Sequence, residues 1–83
     1  MEQSSAGENS IRSSIRVKMP DRKLLTFFVV LAHTTVRELK IKLHERTDIP
    51  PGRQRLMCGG EDMIDDCTLA SYDIRHGSVL QLG

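Results

Sequence analysis

Ile49-Pro50-Pro51-Gly52-Arg53-Gln54-Arg55-Leu56-Met57-Cys58-Gly59-Gly60, followed closely by Thr68-Leu69-Ala70-Ser71-Tyr72-Asp73-Ile74, is the most informative part of the chain. Two successive prolines cannot continue a helix, and the residue ahead of a proline is pushed out of the helical region, so a helix upstream has to stop near Arg46 or Thr47. Leu56 to Cys58 predicts a short third strand, and Gly59-Gly60 supplies turn positions with positive φ. Met63-Ile64 predicts a brief fourth strand, and Asp65-Asp66 opens a loop. Leu69-Ala70-Ser71-Tyr72 reads as one helical turn, and Ser78-Val79-Leu80-Gln81-Leu82 alternates as a last strand.

Working upstream, Thr35-Val36-Arg37-Glu38 is a capping box. The Thr35 hydroxyl can accept the otherwise orphaned amide at the third helical position while Glu38 reaches back to the cap amide. Val36, Leu39, Lys40 and Leu43 then repeat at i, i+3, i+4 and i+7, with the aliphatic stem of Lys40 bordering the apolar stripe and Arg37, Lys42, Glu45 and Arg46 facing water. Earlier still, Ile15, Val17 and Met19 alternate with Arg16 and Lys18 at the period of a half-buried strand. Pro20-Asp21-Arg22-Lys23 makes a hairpin turn. The second strand lies within Leu24 to Leu31. Residues 1–13 are rich in Ser, Glu and Gly with one isolated aliphatic, too little to offset the entropy of ordering, and are expected to form a flexible tail ahead of a domain over residues 14–83.

Composition narrows the function classes. A chain of 83 residues leaves room for one small domain, burying about 60% of its unfolded surface. Twelve Lys+Arg against 11 Asp+Glu give a net charge of +1 with no block of like charge; this predicts protein partners, not nucleic acid. Cys58 and Cys67 have no further cysteine to complete a zinc set or a disulfide framework, which suits a reducing compartment, cytosol or nucleus. The apolar run from Leu24 to Ala32 is too short to span a bilayer, and no signal-peptide pattern opens the sequence. No membrane association and no cofactor are expected, and the isolated domain is expected to be a monomer.

Strand, hairpin, strand, one amphipathic helix and short strands around a helical turn describe an α+β fold of the β-grasp type, a mixed sheet wrapped over one helix. Together with Ile15 and Val17, Thr35-Val36, Leu39-Lys40, Ile49-Pro50-Pro51, Gln54-Arg55-Leu56, Gly60, Thr68-Leu69, Tyr72, Ile74 and Leu80-x-Leu82, this order resembles the ubiquitin superfamily over Ser14 to Leu82. The resemblance points to a binding surface and not to an active site.

One register stays open in the sequence. Leu24 to Leu31 is apolar at nearly every position, so alternation cannot choose its inward face. Counting back from the helix start by the family spacing puts Phe28 and Val30 inward, with a hairpin one residue longer than in ubiquitin. Counting forward from the turn favours Leu25, Phe27 and Val29. The first is preferred here, because hairpin tips tolerate insertions better than strand-to-helix joints. Either way one phenylalanine lies on the outer face.

The resemblance also implies a site. Ubiquitin's main recognition patch centres on an exposed isoleucine in the third strand, and the matching position is Met57, which is apolar and adaptable. The basic neighbour of that isoleucine is retained as Arg55, the close-approach glycine as Gly60, and the patch histidine becomes Gln81. Lys18 completes the expected partner-binding set. The hairpin-tip leucine of the patch is replaced within Met19-Pro20-Asp21, and its last aliphatic falls on Gly83, so the patch is depleted. The lysine after the glycine turn, a principal site of chain building in ubiquitin, is Glu61, and another linkage lysine matches His76; chain elongation at those positions is not expected. A chain ending at Gly83 lacks the terminal diglycine that a conjugating enzyme activates.

Other residues carry plainer readings. Cys58 is expected to be a small inward-facing residue and not a nucleophile. His33, His44 and His76 are scattered over a loop, a helix and a turn, with no metal-ligand spacing and no Cys-His arrangement for catalysis; no enzyme activity is expected. Asp65-Asp66 lacks the alternating oxygen ligands and glycine of a calcium loop and is expected to be a solvated turn. Tyr72 is expected to be a corner residue whose hydroxyl meets a backbone group. Two functions fit the whole. One is a non-covalent docking module, the N-terminal ubiquitin-like domain of a longer protein that binds ubiquitin-receptor helices or a proteasome subunit. The alternative is a conjugated modifier whose diglycine lies beyond Gly83.

Overall fold

A computed structural model describes residues 12–83. Most of the tail expected over residues 1–13 lies outside the described residues, and the first strand, β1, opens at Ser13, one residue ahead of the expected Ser14. Strands β1 (Ser13–Lys18) and β2 (Leu24–Val29) are followed by helix α1 (Val36–Thr47), then by β3 (Leu56–Cys58), β4 (Glu61–Asp62) and β5 (Val79–Leu82). Single 3₁₀ turns at Pro51–Arg53 and Leu69–Tyr72 punctuate the second half. The sheet order is β2-β1-β5-β3-β4, with β1 and β5 parallel and the other pairs antiparallel. This is the expected β-grasp, a mixed five-stranded sheet wrapped over one helix.

The helix follows from its ends and its stripe. The Thr35 hydroxyl accepts from the Glu38 amide at 3.2 Å and the Glu38 carboxylate accepts from the Thr35 amide at 2.9 Å. The capping box therefore forms with both its bonds. At the other end Asp48 adopts the left-handed conformation and its amide donates to the His44 carbonyl at 2.8 Å, so the helix is already closed before Pro50 forbids another turn. Val36, Leu39 and Leu43 are fully buried. They meet Ile15 and Val17 of β1, Leu56 of β3 and Leu80 and Leu82 of β5 in one core, to which Leu69 and Ile74 also contribute. Lys40 lies with its stem in this core and its ammonium 2.7 Å from Asp65. Asp66 likewise meets Arg37 at 2.7 Å, so the loop expected to be a solvated turn is tied by two ion pairs to the first two turns of α1.

The register of β2 corrects the preferred reading. Val17 pairs with Leu25, Ile15 with Phe27 and Ser13 with Val29, which turns Leu25, Phe27 and Val29 inward. Phe27 is 5% exposed and Phe28 63%, so Phe28 and Val30 do not form the inward set. The hairpin turn is tight: the Arg22 amide donates to the Met19 carbonyl and the Met19 amide to the Lys23 carbonyl, both at 2.8 Å. The additional residue sits in the strand-to-helix joint. There the Val30 carbonyl accepts from both the His33 and Thr34 amides while the Thr34 hydroxyl accepts from the Val30 amide. A joint that satisfies its own backbone groups absorbs a residue at little cost, which is why the hairpin-tip argument fails. Arg46 lies over the inward Phe27 ring, 5.0 Å from its centroid.

A second correction concerns β4, which is Glu61–Asp62 and not Met63-Ile64. Gly59 and Gly60 both have positive φ and form a two-residue hairpin loop, so pairing resumes at once with Cys58 opposite Glu61 and Met57 opposite Asp62. Met63 is then free to turn into the core, whereas Ile64 points outward. The Ile64 amide donates to the Tyr72 hydroxyl at 2.7 Å, the expected corner bond.

Truncations separate the two phenylalanines. Phe27→Ala is expected to cost about 3–5 kcal/mol and Leu43→Ala about 2–5 kcal/mol, whereas Phe28→Ala should stay within about 0.5 kcal/mol of the parent. Urea melts measure all three, and a Phe28 variant as damaging as the Phe27 variant would reject this register.

Candidate functional site

An antiparallel or parallel pair places directly opposed residues on the same side of a sheet, so the registers decide which outward side chains are neighbours. Leu24 opposes Lys18, Lys18 opposes Gln81, Gln81 opposes Met57, and Met57 opposes Asp62. These five residues form one row across all five strands on the solvent face. Three members of the expected site, Lys18, Gln81 and Met57, are thus consecutive. Arg55, one residue ahead of β3, lies on the same side as Met57 by alternation. Gly60 stands apart, in the loop of the β3–β4 hairpin, with the Cys58–Glu61 pair between it and the Met57–Asp62 pair.

Met57 does not protrude as the sequence suggested. It is half-buried and does not belong to the core. A Cβ added to Gly83 would lie 3.6 Å from the Met57 methyl carbon, and the Gly83 amide donates to the Arg55 carbonyl at 2.9 Å, so the last residue runs alongside the thioether. Cys58 is half-buried and packs against the core, as expected for an inward-facing thiol.

Arg55 is held by a partner that the sequence reading missed. Its Nε and one terminal nitrogen donate to the two Asp62 carboxylate oxygens at 2.8 and 3.0 Å, a bidentate pair on the open face. That hydrogen bonding holds the Asp62 carboxyl below the usual aspartate range and keeps the Arg55 guanidinium more firmly protonated. The signal was available in principle: a two-glycine loop makes Asp62 the residue opposite Met57, diagonal to Arg55. The sequence reading instead began the fourth strand at Met63. The same face carries Leu24, Phe28 and Val79, each more than half exposed.

Among the described residues no group of His, Cys, Asp and Glu could hold a metal ion, and no helix is long and apolar enough to cross a membrane. His76 accepts the Ser14 amide on its Nδ1 at 3.0 Å.

Comparison with known proteins agrees with the geometry. The model of the ubiquitin family matches residues 15–82. The chain is similar to a "NEDD8-like protein RUB3" of Arabidopsis thaliana, 34% identical over 68 residues that cover 82% of this chain and 86% of that relative. It is also similar to "Ubiquitin-like protein NEDD8" of Dictyostelium discoideum, 43% identical over 47 residues, 57% of this chain and 61% of that protein, so under two thirds of that relative is spanned. A third relative is "E3 ubiquitin-protein ligase UHRF1" of Bos taurus, 38% identical over 69 residues, which are 82% of this chain but 9% of that protein.

The Arg55–Asp62 pair gives a pH prediction. Because the folded carboxyl titrates below its unfolded value of about 3.9, its contribution is present above that pH and is lost as pH falls through the lower folded value. Carbon-detected NMR should place the Asp62 carboxyl below the ordinary aspartate value, and Arg55→Ala should raise it. An Asp62 midpoint that Arg55→Ala leaves unmoved would show that the pair does not form in solution.

Proposed function

Because the chain belongs to the ubiquitin family, whose members present a sheet face to other proteins, we propose that it is a non-covalent protein-interaction module. Its outward sheet face would dock ubiquitin-receptor helices or proteasome subunits. The observation that carries this reading is the consecutive row Lys18, Gln81 and Met57, with Arg55 fixed beside it by Asp62. A flat, rigid surface with one adaptable apolar side chain among hydrogen-bonding neighbours suits the apolar face of a short helix. The match to a small part of a much larger ligase is consistent with a domain of this kind inside a longer protein.

A second reading is supported by a different observation. The Arabidopsis relative is matched over most of its own length, which fits a conjugated modifier equally well. The fold serves both, and the two readings separate on the encoded sequence after Gly83: a diglycine within a few residues favours the modifier, a long further chain the module. Incubated with ATP and an activating enzyme, the chain ending at Gly83 should form no thioester, since that reaction consumes a terminal diglycine carboxylate.

With Met57 half covered and few aliphatics around it, affinity should be micromolar, on the order of −7 to −8 kcal/mol. Met57→Glu should abolish shifts on Lys18, Gln81 and Arg55 in a titration with ubiquitin-receptor helices, while moving stability by about 1 kcal/mol or less. Unchanged binding by that variant would remove Met57 from the site.

A further inference from the structure

The outward face extends well beyond the Met57 row, and its composition over β2, β1 and β5 is one-sided. Those three adjacent strands read Leu-Leu-Thr-Phe-Phe-Val, Ser-Ser-Ile-Arg-Val-Lys and Val-Leu-Gln-Leu, and none contains an acidic residue. Their only charges are Arg16 and Lys18, both outward, and neither has a carboxylate within ion-pair distance among the described residues. Among the described residues, three of the five large exposed apolar side chains, Leu24, Phe28 and Val79, stand on the same three strands. Register places Thr26, Arg16 and Val79 in one row, with Leu24 and Lys18 in the row on one side and Phe28 and Ser14 in the row on the other. Arg16 is therefore central, and the apolar side chains surround it.

Dimensions select the occupant. Leu24 and Phe28 are four strand residues apart, roughly 13–14 Å, and Val79 is two strands away from β2, roughly 9–10 Å. Positions i and i+7 of an α-helix are about 10.5 Å apart on one face. Leu24, Phe28 and Val79 therefore mark a triangle with sides of roughly 12–14 Å, an area that one face of an amphipathic helix, about 10–12 Å across with its side chains, can cover. Its flanking residues then stand over Arg16 and Lys18, where carboxylates gain and ammonium groups are repelled. We propose that the β2-β1-β5 half of the face, centred on Arg16 and Phe28, docks an acidic amphipathic helix. This rests on the reading of the chain as an interaction module and names the chemistry of the partner. This half of the face adjoins the Met57 row and shares Lys18 with it.

The test is a titration of the isotope-labelled chain with a synthetic 18-residue helical peptide bearing Leu at i, i+4 and i+7 flanked by Glu, and with the same peptide carrying Lys for every Glu. The acidic peptide should shift the amides of Ser14 to Lys18, Leu24 to Phe28 and Val79, and bind at least tenfold more weakly in 0.5 M salt than in 0.05 M. The Lys peptide should bind at least tenfold more weakly at low salt. Arg16→Glu and Phe28→Ala, both at exposed positions and checked for retained spectral dispersion, should each weaken the acidic peptide at least tenfold. Shifts confined to Met57, Gln81 and Arg55 that survive Phe28→Ala would overturn this assignment and leave the Met57 surface standing. Equal binding of the two peptides, or no shift on any sheet residue, would also overturn it. The broader reading fails separately, if Met57→Glu and Arg16→Glu both leave capture of ubiquitin-receptor helices unchanged.

Discussion

One helical stripe has to cover one whole face of a five-stranded sheet. Val36, Leu39 and Leu43, with the stem of Lys40, are what α1 offers, and the inward side chains of the sheet converge on them. A domain of this size has no second layer to fall back on, so the inward face admits few choices. The parallel pairing of β1 with β5 binds this arrangement together, because it brings the first and last strands side by side over the helix. Side-chain alternation then fixes the outward set as well. Arg16 and Lys18 face water because Ile15 and Val17 cannot, and Gln81 does so because Leu80 and Leu82 are needed inside. The outer face is thus held rigid by a core in which it takes no part, and its side chains are free to serve recognition.

The second structural layer is a set of polar ties between α1 and the loops around it. Amides at the start of the helix donate to Cys67 and Asp65 carbonyls, and the Leu69 amide returns a bond to Thr34. Beyond the helix Gln54, almost completely buried, donates to the carbonyls of Lys40 and Ile49. Helix termini leave backbone groups without internal partners, and here the Cys67 and Asp65 carbonyls take up two amides of the first turn, while Gln54 ties the middle of the helix to the loop that follows it. The loops are therefore fixed to the helix, and the short strands they connect keep their register without a long ladder of their own.

What was legible in the sequence was whatever local chemistry determines. Thr35 and Glu38 can form a capping box with no help from the rest of the fold, Pro50 forbids helix wherever it stands, and Tyr72 follows a short turn that sets its hydroxyl toward the backbone. The β2 face was illegible because Leu24-Leu25-Thr26-Phe27-Phe28-Val29 satisfies both registers equally; only the strand-to-helix joint, which closes on its own hydrogen bonds, decides between them. The site was read half correctly for the same kind of reason. Sequence position brought Lys18, Gln81 and Met57 onto one face by alternation, but Gly83 against Met57 and Asp62 against Arg55 are contacts between separate strands and termini. No local pattern encodes them.

The open register also left a hazard that the fold manages with arginine. β2 is an edge strand, and Leu24 and Phe28 stand exposed along it, a combination that invites pairing with another chain. Arg46 reaches from α1 to the Thr26 carbonyl at 3.4 Å while its guanidinium covers the Phe27 ring, so one side chain both occupies an edge acceptor and shields the core behind it. Arg16 and Lys18 act on the adjoining face: two copies stacked face to face would bring like charges together, whereas a carboxylate-bearing surface would not. Charges on an apolar sheet face thereby oppose its stacking against a second copy of itself.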